Sequence, residues 1–188
     1  ITEKELADEL EYFLRTSGAE KSAFDIIVAS SNNAADPHHK PTNRKIQKND
    51  IVIIDLGCVY EGYNSDLTRT FFLGKINKYA ENVFEIVKAA QKKALNGIKD
   101  GISCKEVDFA ARNFINKNGF GKYFIHGTGH GVGIDIHEEP SVSAKSKTVL
   151  KAGMVVTVEP GIYIPHKFGV RIEDTVLVTK SGCEVLTK

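Results

Sequence analysis

Hydrophobic residues recur every three or four positions in three segments of the chain, a spacing that predicts amphipathic helices. The segments are residues 2–17, 78–98 and 103–118. The first of them carries its apolar stripe on Leu6, Leu10, Phe13 and Leu14. The first and third open with a hydroxyl side chain followed three positions later by Glu, the capping-box pattern, so these helices are expected to start near Thr2 and Ser103.

Shorter apolar or alternating segments predict β-strands. They are residues 23–30, 51–60, 67–73, 154–160, 170–179 and 183–188. Residues 61–64 form a turn that makes a hairpin of its two flanking strands, and residues 31–49 are polar and predict a long loop. A helix, then strands, then two helices and more strands indicate an α+β domain.

Composition narrows the class of protein. The 188 residues are 41% hydrophobic and 26% charged, which is typical of one soluble globular domain, and we expect it to span residues 1–188. A net charge of +1 gives no reason to expect nucleic acid or a membrane surface as a partner, and the longest apolar runs are too short to span a bilayer. Cys58, Cys104 and Cys183 form no CxxC pair, so we expect free thiols and a cytoplasmic location.

Carboxylates lie in or at the ends of strands that are otherwise apolar, as in "IVIIDLG". They are Asp55, Asp66, Glu159 and Glu173. A single strand carboxylate usually faces solvent or pairs with a cation, and Arg69 and Arg171 can each serve one partner. If all the carboxylates converge, further positive charge is required, and an oxygen-rich cluster with one imidazole suits a divalent metal.

The segment "HGTGHGVGIDIHEEP" (126–140) supplies three of the six histidines. Its glycines recur at every second residue, which excludes the GxGxxG pattern, and His137-Glu138 lacks the second histidine of HExxH. Alternating glycines instead let the backbone pass close to a site, with His130 free to reach inward.

The motifs "IIDLGCVYEGYNSDLTRTFFLG", "HGTGHGVGIDIHEEP", "GMVVTVEPGIYIP" and "GVRIEDTVLV" occur in this order. In this the chain resembles, from Thr2 to Lys188, the pita-bread metallopeptidases, which include methionine aminopeptidases, aminopeptidase P and prolidase. The resemblance implies the pita-bread (creatinase/aminopeptidase) form of an α+β fold, in which helices pack on the outer face of a curved antiparallel sheet.

The resemblance also implies two divalent metal ions, Mn²⁺ or Co²⁺, with Zn²⁺ or Fe²⁺ as alternatives. Asp55 would bind one metal, Asp66 and Glu173 would bridge both, and His130 and Glu159 would complete the ligands of the other metal. A metal, rather than Arg or Lys, is then expected to balance the charge of Asp55. Without metal, Asp55 and the neighbouring carboxyl groups are expected to share protons or to be mobile.

"EGYNSDLTRT" and "VEPGIYIP" are similar to the proline-directed branch, which implies hydrolysis of the bond between an amino-terminal residue and a following proline. By position, His38 lies on the substrate side, His126 or His137 stabilises the oxyanion, and Glu159 transfers the proton. Arg171 and Thr157 are expected to hold ligands in place. His39 and His166 match no position of the pattern, and we expect no role for them.

Three other functions stay open at this level: a methionine aminopeptidase-like activity, a non-catalytic module that binds peptides or proteins, and a creatinase-like hydrolase that works without metals. Aminopeptidase P and prolidase carry an amino-terminal domain that this chain is expected to lack. The resemblance implies a peptide substrate and a homodimer.

Overall fold

The computed structural model describes residues 1–187. The three predicted helices are present as α1 (Glu3–Thr16), α2 (Lys78–Gly97) and α3 (Cys104–Lys117). Both capping boxes form: the side chains of Thr2 and Ser103 accept from the backbone N–H three residues on, and the Glu side chain there accepts from the cap residue. Local sequence therefore set the helix starts to within one residue.

Thirteen strands are found among the described residues, and every pairing between them is antiparallel. They are β1 (Lys21–Ser22), β2 (Ile27–Ser30), β3 (Ile51–Leu56), β4 (Cys58–Tyr60), β5 (Tyr63–Asn64), β6 (Leu67–Phe72), β7 (Gly129–Gly131), β8 (Glu138–Val142), β9 (Val155–Val158), β10 (Gly161–Ile164), β11 (Phe168–Arg171), β12 (Asp174–Val178) and β13 (Cys183–Val185). The predicted α+β class is confirmed.

The strands form four sheets, which surround the cavity described below. Five strands are arranged in the order β13-β12-β9-β7-β8, and three in the order β2-β3-β6. The strands β1, β4 and β5 make a small third sheet, and β10 pairs with β11 as a hairpin. The chain passes from one sheet to another several times. Residues distant in sequence therefore lie side by side.

Two of the predicted strands are each divided in two. The strand predicted over 51–60 breaks at Gly57, where an added Cβ would lie 1.9 Å from the carbonyl oxygen of Ser65. The strand predicted over 170–179 also breaks: Arg171 pairs with Gly161 in the hairpin, whereas Asp174 pairs with Val158 in the five-stranded sheet. The prediction of two continuous strands from the periodicity was therefore wrong, because the two halves of each strand belong to different sheets.

The main core lies between the sheets and the pair α2 and α3. Its fully buried side chains include Val83, Val87, Ala94, Val107, Ile115, Val156, Val158, Ile162 and Val176. Since side chains alternate along a strand, burying Val156 and Val158 against the helices directs Thr157 to the opposite face. The apolar face of β9 thus decides which of its polar residues can reach the site.

Helix α1 packs separately against β1 and β2. Its Leu6, Leu10 and Leu14 are partly buried against a small cluster that includes Val28, whereas Phe13 is 64% exposed. Including Phe13 in the apolar stripe was therefore wrong. None of the described helices combines the length and the apolar character needed to cross a membrane.

The segment predicted as a long loop, residues 31–49, starts with a single 3-10 turn over Ser31–Ala35 and has no other helix or strand. Its later part lies against the start of α1, where the N–H groups of Glu3 and Lys4 donate to the carbonyls of Arg44 and Thr42 at 3.0 Å. The segment is thus fixed to the protein by polar contacts rather than by a sheet.

Candidate metal centre

A cavity of about 480 Å³ opens between the sheets and the segment 31–49. Every metal ligand and catalytic histidine expected from the sequence lines it: His38, Asp55, Asp66, His126, His130, His137, Glu159 and Glu173. Arg171 lines it too, and Phe24, Ile27 and Ile136 contribute apolar surface. The structure therefore brings together residues that are spread over 136 positions of the chain, from 38 to 173.

The ligand set approaches most closely around His130. Its Nε2 lies 3.5 Å from Oδ2 of Asp66 and 3.4 Å from Oε1 of Glu159. Donor atoms of Asp66, His130 and Glu173 all fall within 4.8 Å of one another. Three donors of the kinds that bind divalent cations thus face one point.

Threonine side chains fix the acidic residues to one another across the sheets. Thr68, on β6, donates from Oγ1 to Oε2 of Glu173 at 2.7 Å, and its carbonyl accepts from the N–H of Glu173 at 3.1 Å. Thr175 Oγ1 donates to the carbonyl of Asp66 at 2.8 Å. The carboxylate of Glu173 and the backbone of Asp66 are thus each held by a short bond from a strand threonine.

The glycines around His130 allow two strands to close on β7. A Cβ at Gly129 would lie 2.0 Å from the carbonyl oxygen of Thr157, and a Cβ at Gly131 would lie 2.5 Å from that of Glu139. The expectation that alternating glycines bring His130 into the site is confirmed. Thr157 Oγ1 accepts from the N–H of His130 at 3.0 Å and lies 3.5 Å from Oε1 of Glu159, so it contacts two of the ligands.

Arg171 supplies the compensation for Asp55 that the sequence analysis assigned to a metal alone. Its Nη2 donates to Oδ2 of Asp55 at 2.5 Å, and its Nε donates to Thr68 Oγ1 at 3.0 Å. The expectation that neither Arg nor Lys pairs with Asp55 was therefore wrong. It failed because the break at residues 172–173 carries Arg171 into a hairpin that faces β3.

The second oxygen of Asp55 is the observation that fits a metal. Oδ1 is buried and has no hydrogen-bond partner within residues 1–187. Such a buried, unpaired oxygen is costly unless an unseen ion or water satisfies it. With one oxygen held by Arg171 and the other free, Asp55 is oriented to bind a cation.

Burial and mutual repulsion alter the protonation of the cluster. Burial, together with the charges of Asp55 and Glu159, raises the pKa of Asp66 to about 8. Burial raises the pKa of Glu159 to about 7, although the charge of Arg171 opposes the shift. The pKa of Glu173 is raised well above its ordinary value, chiefly by burial. These directions agree with the expectation that the carboxyl groups share protons when no metal is bound.

His126 belongs to a hydrogen-bonded chain that the sequence did not indicate. Its Nδ1 lies 2.7 Å from the carbonyl of Gly127, which can only accept, so Nδ1 carries the proton. Nε2 then accepts from the hydroxyl of Tyr163 at 2.8 Å, and that hydroxyl accepts from Arg171 Nη1 at 2.9 Å. Burial lowers the pKa of His126 to about 4, which keeps the ring neutral.

Tyr163 was missed because in "EPGIYIP" it has the appearance of an ordinary alternating strand residue. His39, for which no role was expected, lines the cavity, and its Nε2 lies 3.0 Å from a carboxylate oxygen of Glu3. His166 is exposed and does not line the cavity. The rings of His137 and His130 are 4.3 Å apart, and no hydrogen bond of His137 is found in the described part of the chain.

Comparison with known proteins agrees with this geometry. The model of metallopeptidase family M24 matches residues 1–180. The chain belongs to metallopeptidase family M24. Its fold is the pita-bread fold of the solved prolidases, as the resemblance implied.

Relatives with assigned names are similar over nearly the whole chain. A Xaa-Pro dipeptidase of Pyrococcus horikoshii is 52% identical over 186 residues, covering 99% of this chain and 53% of the relative. The structure of a prolidase from Pyrococcus furiosus matches with a TM-score of 0.98 at 50% identity, covering 100% of this chain and 56% of that chain. An X-Pro aminopeptidase from Thermotoga maritima matches with a TM-score of 0.98 at 44% identity, covering 100% and 53%. The chain thus spans about half the length of the curated relatives it matches.

The raised pKa values predict how stability depends on pH in the protein stripped of metal. Asp66, Glu159 and Glu173 bind more protons in the folded than in the unfolded state, so the free energy of unfolding should fall as pH rises from 6.5 to 8. The loss should be on the order of 2–4 kcal/mol, since each such group contributes about 1.4 kcal/mol per pH unit. The buried His126 acts in the opposite sense, but mainly below its ordinary pKa of 6.5, so its effect on stability between pH 6.5 and 8 is small.

Urea unfolding at pH 6.5 and pH 8 measures this loss. Saturating divalent metal should abolish it, because bound carboxylates are already ionised. A metal-free protein whose stability is constant or rises over this range would contradict the shared protonation.

Replacing Asp66 by Asn should remove both expected metal ions, because the amide keeps the shape of the side chain but loses the charge of the residue expected to bridge them. Metal content after dialysis, measured by plasma mass spectrometry, should fall to background. Asp25→Asn is the matched control, since Asp25 lines the same cavity on its exposed side. Unchanged metal content in Asp66→Asn would remove Asp66 from the ligand set.

Proposed function

We propose that this chain is the catalytic domain, residues 1–188, of a two-metal exopeptidase that hydrolyses the bond between an amino-terminal residue and a following proline. The observation that carries the proposal is the buried, unpaired Oδ1 of Asp55 beside the cluster of Asp66, His130 and Glu173. The likeness to Xaa-Pro dipeptidases and an X-Pro aminopeptidase supports the choice of substrate.

In this proposal Asp55, Asp66, His130, Glu159 and Glu173 would together hold the two metal ions. The donor set of four carboxylates and one imidazole favours Mn²⁺ or Co²⁺, with Zn²⁺ and Fe²⁺ as the alternatives. Such a pair, when bound, polarises the peptide carbonyl and lowers the pKa of the attacking water.

Glu159 is the group we assign to proton transfer. Its Oε1 faces His130 at 3.4 Å, and it lines the cavity where the peptide bond must lie. It accepts the proton released by the attacking water and delivers it to the proline nitrogen. That delivery matters because the leaving nitrogen of a tertiary amide is a poor leaving group until it is protonated.

Of the two candidate histidines, His137 is better placed to stabilise the oxyanion. Both ring nitrogens of His126 are engaged, one with the Gly127 carbonyl and one with the Tyr163 hydroxyl. The ring nitrogens of His137 have no hydrogen-bond partner among the described residues, so they remain available to the substrate. His38 lines the cavity from the segment 31–49. We therefore assign oxyanion stabilisation to His137. To His126 and Tyr163 we assign the positioning of the side chains next to them, including Arg171.

We also propose that the protein works in the cytoplasm and as a homodimer. The free state of Cys58, Cys104 and Cys183 supports a reducing compartment. The dimer follows from the family resemblance, and sedimentation of the full-length protein tests it.

A panel of peptides tests the function. Metal-loaded protein should cleave Xaa-Pro dipeptides, longer Xaa-Pro peptides, or both, and should leave Met-Ala-Ser intact. The ratio of kcat/KM between the two Xaa-Pro groups distinguishes a dipeptidase from an aminopeptidase. Preferred cleavage of Met-Ala-Ser assigns the protein to the methionine branch, and full metal occupancy without any cleavage would favour a non-catalytic binding module.

Replacing His137 by Ala should lower kcat by about 100- to 1000-fold, the usual effect of removing one oxyanion donor. KM and metal content should change little. His166→Ala is the control, because this exposed histidine lies away from the cavity. If His137→Ala keeps its kcat and His126→Ala loses it, the two assignments must be exchanged.

A further inference from the structure

Glu3 is a buried carboxylate that the proposed mechanism does not use. It lies in the first turn of α1 and is 0% exposed. A buried carboxylate is costly unless it is hydrogen-bonded. The contacts that compensate Glu3 therefore indicate what this residue is for.

All of these contacts come from one segment of the chain. Oε1 accepts from the N–H and the hydroxyl of Ser30 at 2.8 and 2.6 Å, and from Asn33 Nδ2 at 3.0 Å. Oε2 accepts from the N–H and the hydroxyl of Thr42 at 3.1 and 2.7 Å, and lies 3.0 Å from Nε2 of His39. Burial by itself would raise the pKa of Glu3, but these bonds outweigh it and lower the pKa to about 2. Glu3 is thus a fixed negative charge at the centre of residues 30–42.

The same segment forms one wall of the catalytic cavity. The residues that line it there are Pro37, His38, His39, Lys40 and Pro41. Ser30 and Thr42 bracket this wall and both bind Glu3, while the Pro37 carbonyl accepts from Arg171 Nη1 at 3.3 Å. His39 both lines the cavity and touches Glu3, so it connects the buried charge to the surface on which a substrate would lie.

The start of α1 does not require Glu3. The capping box is completed by Thr2 and Glu5, and the exposed Glu5 already places a negative charge in the first turn, where it favours the helix dipole. The burial of Glu3 is therefore explained by the segment 30–42 rather than by the helix.

We propose that Glu3 is a positioning residue for substrate binding, which acts through His39 to hold residues 36–42 as a fixed wall of the catalytic cavity. The inference rests on the proposed peptidase function. A wall held in place before the substrate arrives lowers the cost of ordering it on binding, so its loss should weaken binding rather than slow the chemical step.

Glu3→Gln tests the proposal with Glu5→Gln as its matched control. A glutamine has one accepting oxygen, so its amide nitrogen must face either Ser30 or the donors of Thr42 and His39. In metal-loaded protein we expect KM for Xaa-Pro peptides to rise at least 10-fold, with kcat changed less than threefold and metal content unchanged. Glu5→Gln should keep the wild-type KM, since among residues 1–187 Glu5 has its side-chain hydrogen bond with Thr2 alone and does not line the cavity.

A second set of variants separates positioning from stability. His39→Ala, which leaves the other donors of Glu3 in place, should reproduce the increase in KM, and Glu3→Gln combined with His39→Ala should add nothing further. Ile115→Val lowers Tm by loosening the core and should leave KM unchanged. A lower Tm with wild-type KM in Glu3→Gln or His39→Ala would reduce Glu3 to a structural role and overturn the proposal.

Failure of the peptidase function would be seen separately. If the wild-type protein cleaves no Xaa-Pro peptide, the proposed function is wrong, and imidazole NMR then tests the inference alone. Glu3→Gln should shift the ring signals of His39 and also of His38, which has no contact with Glu3. Unchanged His38 signals would show that Glu3 does not position the wall.

Discussion

The structure depends on one electrostatic constraint: several carboxylates must share a buried cavity with too little positive charge. Among residues 1–187, Arg171 is the only buried arginine or lysine, and it is bound to Asp55. Because positive charge is scarce, the pKa values of Asp66 and Glu159 are raised, and one oxygen of Asp55 has no hydrogen-bond partner. Without a cation the buried negative charge of this cluster is unfavourable, and a bound cation would balance it. This is the physical basis of the assignment to metal chemistry.

Neutral donors on the surrounding strands fix two of the acidic residues, one by its carboxylate and one by its backbone. Thr68 and Thr175 bond across sheets to Glu173 and to the backbone of Asp66. Gly129 lets β7 lie against β9 with no side chain between them. Because these contacts involve strands that the helices bury on their other face, the site is built on rigid elements, as a catalytic geometry requires.

The cavity has two walls of different character. One is made of paired strands, and the other is the segment 31–49, which has no strand of its own and is held by polar bonds to Glu3 and Arg171. Such a wall depends on a few buried groups rather than on a continuous ladder. One of these groups, Glu3, lies at the beginning of the chain and bonds to Asn33, His39 and Thr42 of this segment.

The sequence by itself determined what is local: the helices, whose capping boxes and apolar spacing act within a few residues, and the residue types of the metal site, which the ordered motifs contain. It did not show that the strand over 170–179 breaks, that Arg171 meets Asp55, or that Tyr163 completes a chain to His126. Those features depend on which segments meet in the fold, and the residues that meet are 37 positions apart in the pair His126 and Tyr163 and 116 apart in the pair Asp55 and Arg171. Hydrophobic periodicity has no information at that range, so only the tertiary structure decided them.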